Sequence, residues 1–178
     1  FAADGIVNIS DKNTPAPGGT ARDNTITMSG KKSIGIFAAA AGDTLSSGAK
    51  VTLTGDSSTG IFAKSSGAVT NTGEISASGK SVKAMIAQAA TITSTGKITV
   101  NGTALSDTDG SVGLASMNGG NLTQNNANTN ITVDGSASIG AYADGKVGVP
   151  APVATALTMT GGTITAKGGA FNTYASNS

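Results

Sequence analysis

A triplet in which a hydroxyl side chain stands between two apolar ones recurs six times along the chain. It reads Ile26, Thr27, Met28, then Val51, Thr52, Leu53, then Ile75, Ser76, Ala77. It returns as Ile98, Thr99, Val100, as Ile131, Thr132, Val133, and as Ile164, Thr165, Ala166. Strict alternation marks a half-buried strand, because successive side chains of a strand point to opposite faces. The pattern predicts strands whose Ile, Val and Leu face inward and whose hydroxyls face out. A Gly follows each triplet, at Gly30, Gly55, Gly79, Gly102, Gly135 and Gly168. These glycines are expected to supply the positive φ of a sharp turn.

A second column begins with Ile34, Gly35, Ile36, Phe37 and Ala38. The position of Phe37 comes back as Phe62, Ile86, Ala115, Tyr142 and Tyr174. Aromatic residues this scarce and this aligned are expected to stack as a ladder in the core: Phe37, Phe62, Ile86, Tyr142 and Tyr174. Ile36 and Phe37 are adjacent, so alternation lets only one of the two columns face inward unless the chain bends there. A third, weaker column holds Leu45, Val69, Ile92, Leu122 and Leu157 among small polar residues. Three short strands per repeat, joined by Gly, Asn, Asp and Ser turns, predict a triangular coil.

The spacing of the first column is 25 (26 to 51), 24 (51 to 75) and 23 (75 to 98), then 33 twice (98 to 131 to 164). Periods of this size belong to solenoids, in which one repeat cannot bury its apolar face and stacking supplies the core. Leucine-rich repeats share the period, but their Leu and Asn framework is missing. The expectation is an all-β parallel β-helix of about six triangular coils. At the usual interstrand spacing such a rod is ~25–30 Å long. The longer repeats must release their excess as side loops, at 103–110, 123–130 and 144–156, with a further loop at 11–23 before the first full coil. All four Pro residues (Pro15, Pro17, Pro150, Pro152) fall in two of these loops. Proline is expected there, since inside a sheet it deletes a ladder hydrogen bond. The repeats run through residues 1–178 as one continuous solenoid segment. The start, FAADGIVNIS, lies already in mid-pattern and reads as part of a longer chain.

Composition narrows the function more than it names it. The 178 residues include 26 Gly, only 3% aromatic and 12% charged residues, and no Cys. Disulfide frameworks and thiolate metal sites are therefore excluded. Net charge is +1 and Arg22 is the single Arg, so the basic stripe of a nucleic-acid binder is missing. No apolar run approaches the ~20 residues of a membrane helix.

The candidate chemistry is sparse. Parallel β-helices include polysaccharide lyases and galacturonases. Lyases of this fold use Arg or Lys as the base, and hydrolases need paired carboxylates at a defined separation. Here there are no His, one Glu (Glu74), and Asp residues spread over different coils, Asp107 and Asp109 being the closest pair. Neither catalysis nor a cofactor is expected. Asp107, Thr108, Asp109 and Gly110 resemble the opening of a calcium loop, but the twelfth position is Asn118 where such a loop needs Glu. A plain turn is expected there, without metal. Lys31, Lys32, Lys64, Lys80 and Lys83 flank one turn in consecutive coils and read as solvated charges that blunt a sheet edge. The loop side chains left as candidates for ligand contact are Arg22, Asp23, Asp107, Asp109, Asn125, Asn126 and Asn128.

The repeated module, carried by VTLTG at 51–55, STGIFA at 58–63 and VTNTGEI at 69–75, resembles passenger domains of Gram-negative type V autotransporters. It is most similar to the very long fusobacterial outer-membrane adhesins. The resemblance spans residues 24–175 at the level of the repeat. It implies a right-handed β-helical rod, export across both membranes, and display at the cell surface on a C-terminal translocator barrel that this chain lacks. The implied partners are proteins or glycans of host cells or other bacteria. No binding residue carries over, because binding in that family is not tied to this module. Two other readings remain open on the residues alone. One is a glycan-processing or glycan-binding β-helix of the lyase or tail-spike type. The other is a structural filament in which coils of neighbouring chains stack end to end.

Overall fold

The computed structural model describes residues 22–145 and 154–177, with strand segments at 2–3, 6–9 and 12–13; side chains are placed over 24–145 and 154–176. All regular structure among these residues is β-strand, and the strands form a parallel β-solenoid with three faces. The first face carries the hydroxyl-centred triplets: Thr25–Met28, Lys50–Leu53, Ile75–Ala77, Ile98–Thr103, Asn130–Asp134 and Thr163–Lys167. The second runs from Ala2–Ala3 through Ile34–Ala38, Thr59–Lys64, Lys83–Gln88, Val112–Met117 and Ile139–Gly145 to Phe171–Asn177. The third comprises Ile6–Ile9, Thr44–Ser47, Ala68–Asn71, Thr91–Ser94, Asn121–Asn125 and Ala156–Thr160. Apart from the short antiparallel pair Lys12–Asn13 and Arg22–Asp23, consecutive strands of the chain fall on consecutive faces, and each pairs in parallel with its counterpart one turn away.

The core is where the alternation predicts it on the first and third faces. Val51, Leu53, Ile75, Ile98, Val100, Ile131 and Val133 have no exposed surface. Leu45, Ile92 and Leu122 are equally buried and Val69 nearly so. The hydroxyls of the triplets point away from this core, Thr27 exposed and Thr52 and Ser76 half-buried.

The third face carries an internal feature that hydrophobic patterning hides. Two residues beyond Leu45, Val69, Ile92 and Leu122 stands a buried polar side chain: Ser47, Asn71, Ser94 and Gln124. The amide N–H donors of Asn71 and Gln124 are used at the next corner, whereas their oxygens, Asn71 Oδ1 and Gln124 Oε1, are buried without a hydrogen-bond partner. Asn71 Nδ2 donates to the Gly73 carbonyl (2.8 Å) and to Ser94 Oγ (3.2 Å). Gln124 Nε2 donates to the Gly96 carbonyl (2.9 Å) and to Thr129 Oγ1 (2.8 Å).

Four expectations need correction. First, Phe37, Phe62, Ile86, Tyr142 and Tyr174 do align strand upon strand, but outside the core. Phe37, Phe62, Ile86 and Tyr142 are half-buried and Tyr174 is 43% exposed, whereas Ile36, Ile61, Met85 and Leu114 are fully buried. The residue pairing skips Gly35 and Gly60, and both Gly35 and Ile36 face inward, so the chain bends there and Phe37 is turned out. Glycine stands at the bend because a Cβ on Gly35 would come within 2.8 Å of the Gly60 carbonyl and 3.2 Å of Val51 Cγ1.

Second, of the six corner glycines only Gly135 and Gly168 have positive φ. In the earlier coils the left-handed residues are Lys32, Ser57 and Ser81, at φ between 50 and 56°. Gly55 is required for a different reason, since a Cβ there would collide with the Gly30 carbonyl of the turn below.

Third, the triplet of Ile98 is displaced against that of Ile131: Val100 pairs with Ile131 and Gly102 with Val133, an offset of two residues. An even offset keeps every side chain on its own side of the sheet, so alternation survives it.

Fourth, the loops are shorter than expected. Thr103 ends one strand, so that loop begins at Ala104, and residues 123–125 belong to another.

Candidate functional site

The loop candidates do not converge. The turn after Thr103 closes on a bridge between Ser106 and Asp109, with the Leu105 N–H donating to the Asp109 carbonyl at 2.8 Å. Its two carboxylates diverge. Asp107 accepts a hydrogen bond from Ser136 Oγ (3.2 Å) in the following coil. Asp109 reaches back to the preceding coil, accepts the Ser81 hydroxyl, and pairs with Lys83 Nζ at 3.3 Å. The Ser81 bond is the main reason the Asp109 carboxyl is held below the usual carboxylate range; burial works the other way, and Lys83 adds to the lowering. Among the described residues no three His, Cys, Asp or Glu side chains come close enough to share a metal ion.

The Asn-rich turn divides its labour. Asn126 Oδ1 accepts the Asn128 N–H (2.8 Å), an Asx turn, and Asn126 Nδ2 donates to the Thr95 carbonyl of the coil beneath (2.8 Å). Asn126 therefore holds the turn against the solenoid, while Asn125 and Asn128 are exposed. Arg22 and Asp23 form a short strand antiparallel to Lys12 and Asn13, at the base of the 11–23 loop; their side chains lie outside the described residues. Of the 144–156 loop, residues 146–153 lie outside the described residues. Its exit is fixed by Thr155 Oγ1, which accepts the Gly119 N–H (2.8 Å) and donates to the Asp144 carbonyl (3.1 Å).

The expected lysine edge is distributed over separate partners. Lys31 stands 3.9 Å from Asp56, Lys83 pairs with Asp109, and Lys64 Nζ lies 5.4 Å from the centroid of the Phe37 ring. Lys64 over Phe37 is a cation–π contact and belongs to the second face rather than to a corner.

That second face carries the aromatic row on its outer side rather than in the core. Its outer side carries Phe37 and Phe62 with ring centroids 5.5 Å apart, then Ile86, then Ala115, which its neighbours cover to 3% exposure, then Tyr142 and Tyr174 at 5.7 Å. Phe171 packs edge-on to Tyr174 (6.0 Å) and is 51% exposed; Ile34, at the other end, is 41% exposed. Burial in this row, with a hydrogen bond to Asp144, pushes the Tyr142 phenol above its usual range. At the last turn an open hollow of about 200 Å³ lies between Tyr142, Leu157 and Tyr174. The first and third faces look entirely different from outside. There the exposed rows are Thr27 with its successors, and Thr70, Thr93 and Thr158 with Ser46 and Thr123. One signal could have located the apolar outer row. The Ala38, Ala63, Ala87 column of small side chains matches the inward Ile36 column by alternation, which leaves Phe37 between them facing out.

Set beside known proteins, the chain matches no family model, no curated protein and no solved structure.

Proposed function

We propose that this chain is a rod segment of a bacterial cell-surface adhesin of the autotransporter-passenger kind, a scaffold that carries binding surfaces along its sides and ends. The observation that carries the reading is the division of labour in the solenoid. Its interior is a continuous stack of Ile, Val and Leu with a buried polar column, while its polar side chains are spent on corners and turns rather than gathered in a cleft. A stacked solenoid of this kind holds its shape through nearest-neighbour contacts and offers long lateral faces. Its partners would be proteins or glycans on host cells or on other bacteria, and its place would be the outer surface of a Gram-negative cell, anchored through a translocator barrel elsewhere in the parent protein.

Polystyrene beads coated with the purified chain test the reading. Coated beads should adhere to epithelial cells or to partner bacteria, and free chain should compete with them. Beads that adhere no better than albumin-coated controls, combined with release of new reducing ends from a polysaccharide panel, would move the assignment to the glycan-processing β-helices.

A further inference from the structure

We infer that the outer surface of the second face is a contact surface for a second copy of this chain, in an isologous, face-to-face pair. Two faces of the solenoid present hydroxyls, whereas the third presents aromatic and aliphatic side chains on five of six described strands, Ala115 on the remaining one being only 3% exposed. The row is also symmetric in residue class. From one end to the other it runs aromatic, aromatic, aliphatic, aliphatic, aromatic, aromatic: Phe37, Phe62, Ile86, Ala115, Tyr142, Tyr174.

A two-fold axis parallel to the strands and passing between Ile86 and Ala115 maps this row onto itself. It reverses the order of coils and preserves position along each strand. Phe62 then faces Tyr142 of the second copy, Phe37 faces Tyr174, and Ile86 faces Ala115. A self-complementary patch of this kind is what a two-fold dimer requires. Charge agrees with the same axis. Lys64 and Asp144 hold the same position on their strands, two beyond Phe62 and Tyr142, so the rotation brings Lys64 opposite the carboxylate of the other copy.

The area sets the strength. Six strands at ~4.8 Å by about five residues at ~3.3 Å give ~500 Å² per copy, or ~1,000 Å² for the pair. That is the lower limit for a specific interface, so the pair should form reversibly and come apart on dilution. The inference is independent of the adhesin reading, since it concerns only the chain with itself.

Cysteine pairing tests the axis directly, because the native chain has no Cys. Within one chain, positions 62 and 142 are three strand spacings apart, ~14 Å, too far for a disulfide. Facing sheets pack ~10 Å apart, also beyond a disulfide, so a bis-maleimide of about that reach should join the double variant Phe62→Cys, Tyr142→Cys into a covalent dimer on a denaturing gel, and should not join Phe62→Cys alone. In sedimentation, the native chain should pass from dimer to monomer on dilution. Phe62→Lys should remain monomeric with unchanged circular dichroism, while Thr93→Lys on the third face should dimerise as the native chain does. The inference is overturned by a native chain that is monomeric at every concentration. It is equally overturned by open-ended oligomers, which mean pairing at strand edges, or by Phe62→Cys cross-linking as readily as the double variant.

Discussion

Replacing Ile61 and Phe62 in turn by Ala separates the two sides of the second face. By size alone Phe62 should matter more, and a core ladder of Phe37 and Phe62 would make its loss cost ~3–5 kcal/mol. The structure reverses that order. Ile61 has no exposed surface, and truncation removes three buried carbons, worth ~2.4 kcal/mol at ~0.8 kcal/mol each. The void left beneath a wall that relaxes only in part adds ~1–2 kcal/mol, for a total of about 3–4 kcal/mol. Phe62 is half-buried on the outside. Its loss forfeits about half the ~1.5–3 kcal/mol of full burial. The contact with the Phe37 ring at 5.5 Å adds ~0.5–1 kcal/mol, and no enclosed void is left. The expected cost is about 1–2 kcal/mol. Urea unfolding followed by far-ultraviolet circular dichroism measures both, with an unchanged slope confirming that the same unit unfolds. A solenoid can instead lose its coils one by one, which would appear as a lower slope. The reasoning is refuted if, at equal slopes, Phe62→Ala proves as costly as Ile61→Ala.

Three further outcomes follow from backbone and electrostatics. Ala89 sits at φ 48°, in line with Ser65 and with Asn118 at φ 52°, so Ala89→Asn should raise stability by ~0.5–1 kcal/mol in a thermal melt by relieving a left-handed alanine. A Cβ on Gly96 would fall on the Gly73 carbonyl and 2.9 Å from Asn71 Nδ2, so Gly96→Ala should cost at least ~2 kcal/mol and lower the melting temperature clearly. Asp109 has a folded-state pKa below its unfolded value of ~3.9, so it contributes stability above that pH and loses it as pH falls through the folded value. Asp109→Asn should therefore melt slightly below the native chain at pH 6, by under ~1 kcal/mol because the site is half-exposed, and the gap should close as pH falls through the folded-state value. A gap that persists at pH 2 would assign the effect to packing.

The strand columns were legible because alternation and spacing are local signals repeated many times. The registers of the third face and of the earlier first-face strands agree with the spacing residue for residue. The side of the wall on which Phe37 lies was not legible, because a bend at Gly35 breaks the alternation at that point, and a bend depends on the coil above: the Gly60 carbonyl occupies the space a Cβ would need. The buried polar column was hidden for a related reason. Ser47, Asn71, Ser94 and Gln124 look like loop residues until the corner they fill is known. The loop candidates fared according to their partners. Asp109 and Asn126 hold their turns to neighbouring coils, roles that depend on Ser81, Lys83 and Thr95, more than twenty residues away in sequence.

The displaced register at residues 98–103 joins these threads. Ile98, Thr99 and Val100 could stack beneath Ile131, Thr132 and Val133 directly or shifted by two, and side-chain facing is the same in either case. What decides is the corner. In the direct register Gly102 would lie beneath Gly135; in the observed one it lies beneath Val133, and the turn moves outward to Gly135 and Gly168, which take the positive φ that Gly55 and Gly79 do not. The strands of the first face lengthen accordingly, from Ile75–Ala77 to Asn130–Asp134 and Thr163–Lys167. The same shift changes the corner at the other end of the strand, between the third and first faces: Thr129, 2% exposed, comes in line with Ile98, is brought inside and bonds to Gln124, whose other bond is to the Gly96 carbonyl. A single polar pair thus closes the space that an even register shift opens. It also accounts for Gln at the position where the two preceding turns carry Asn71 and Ser94: the deeper corner needs the longer side chain.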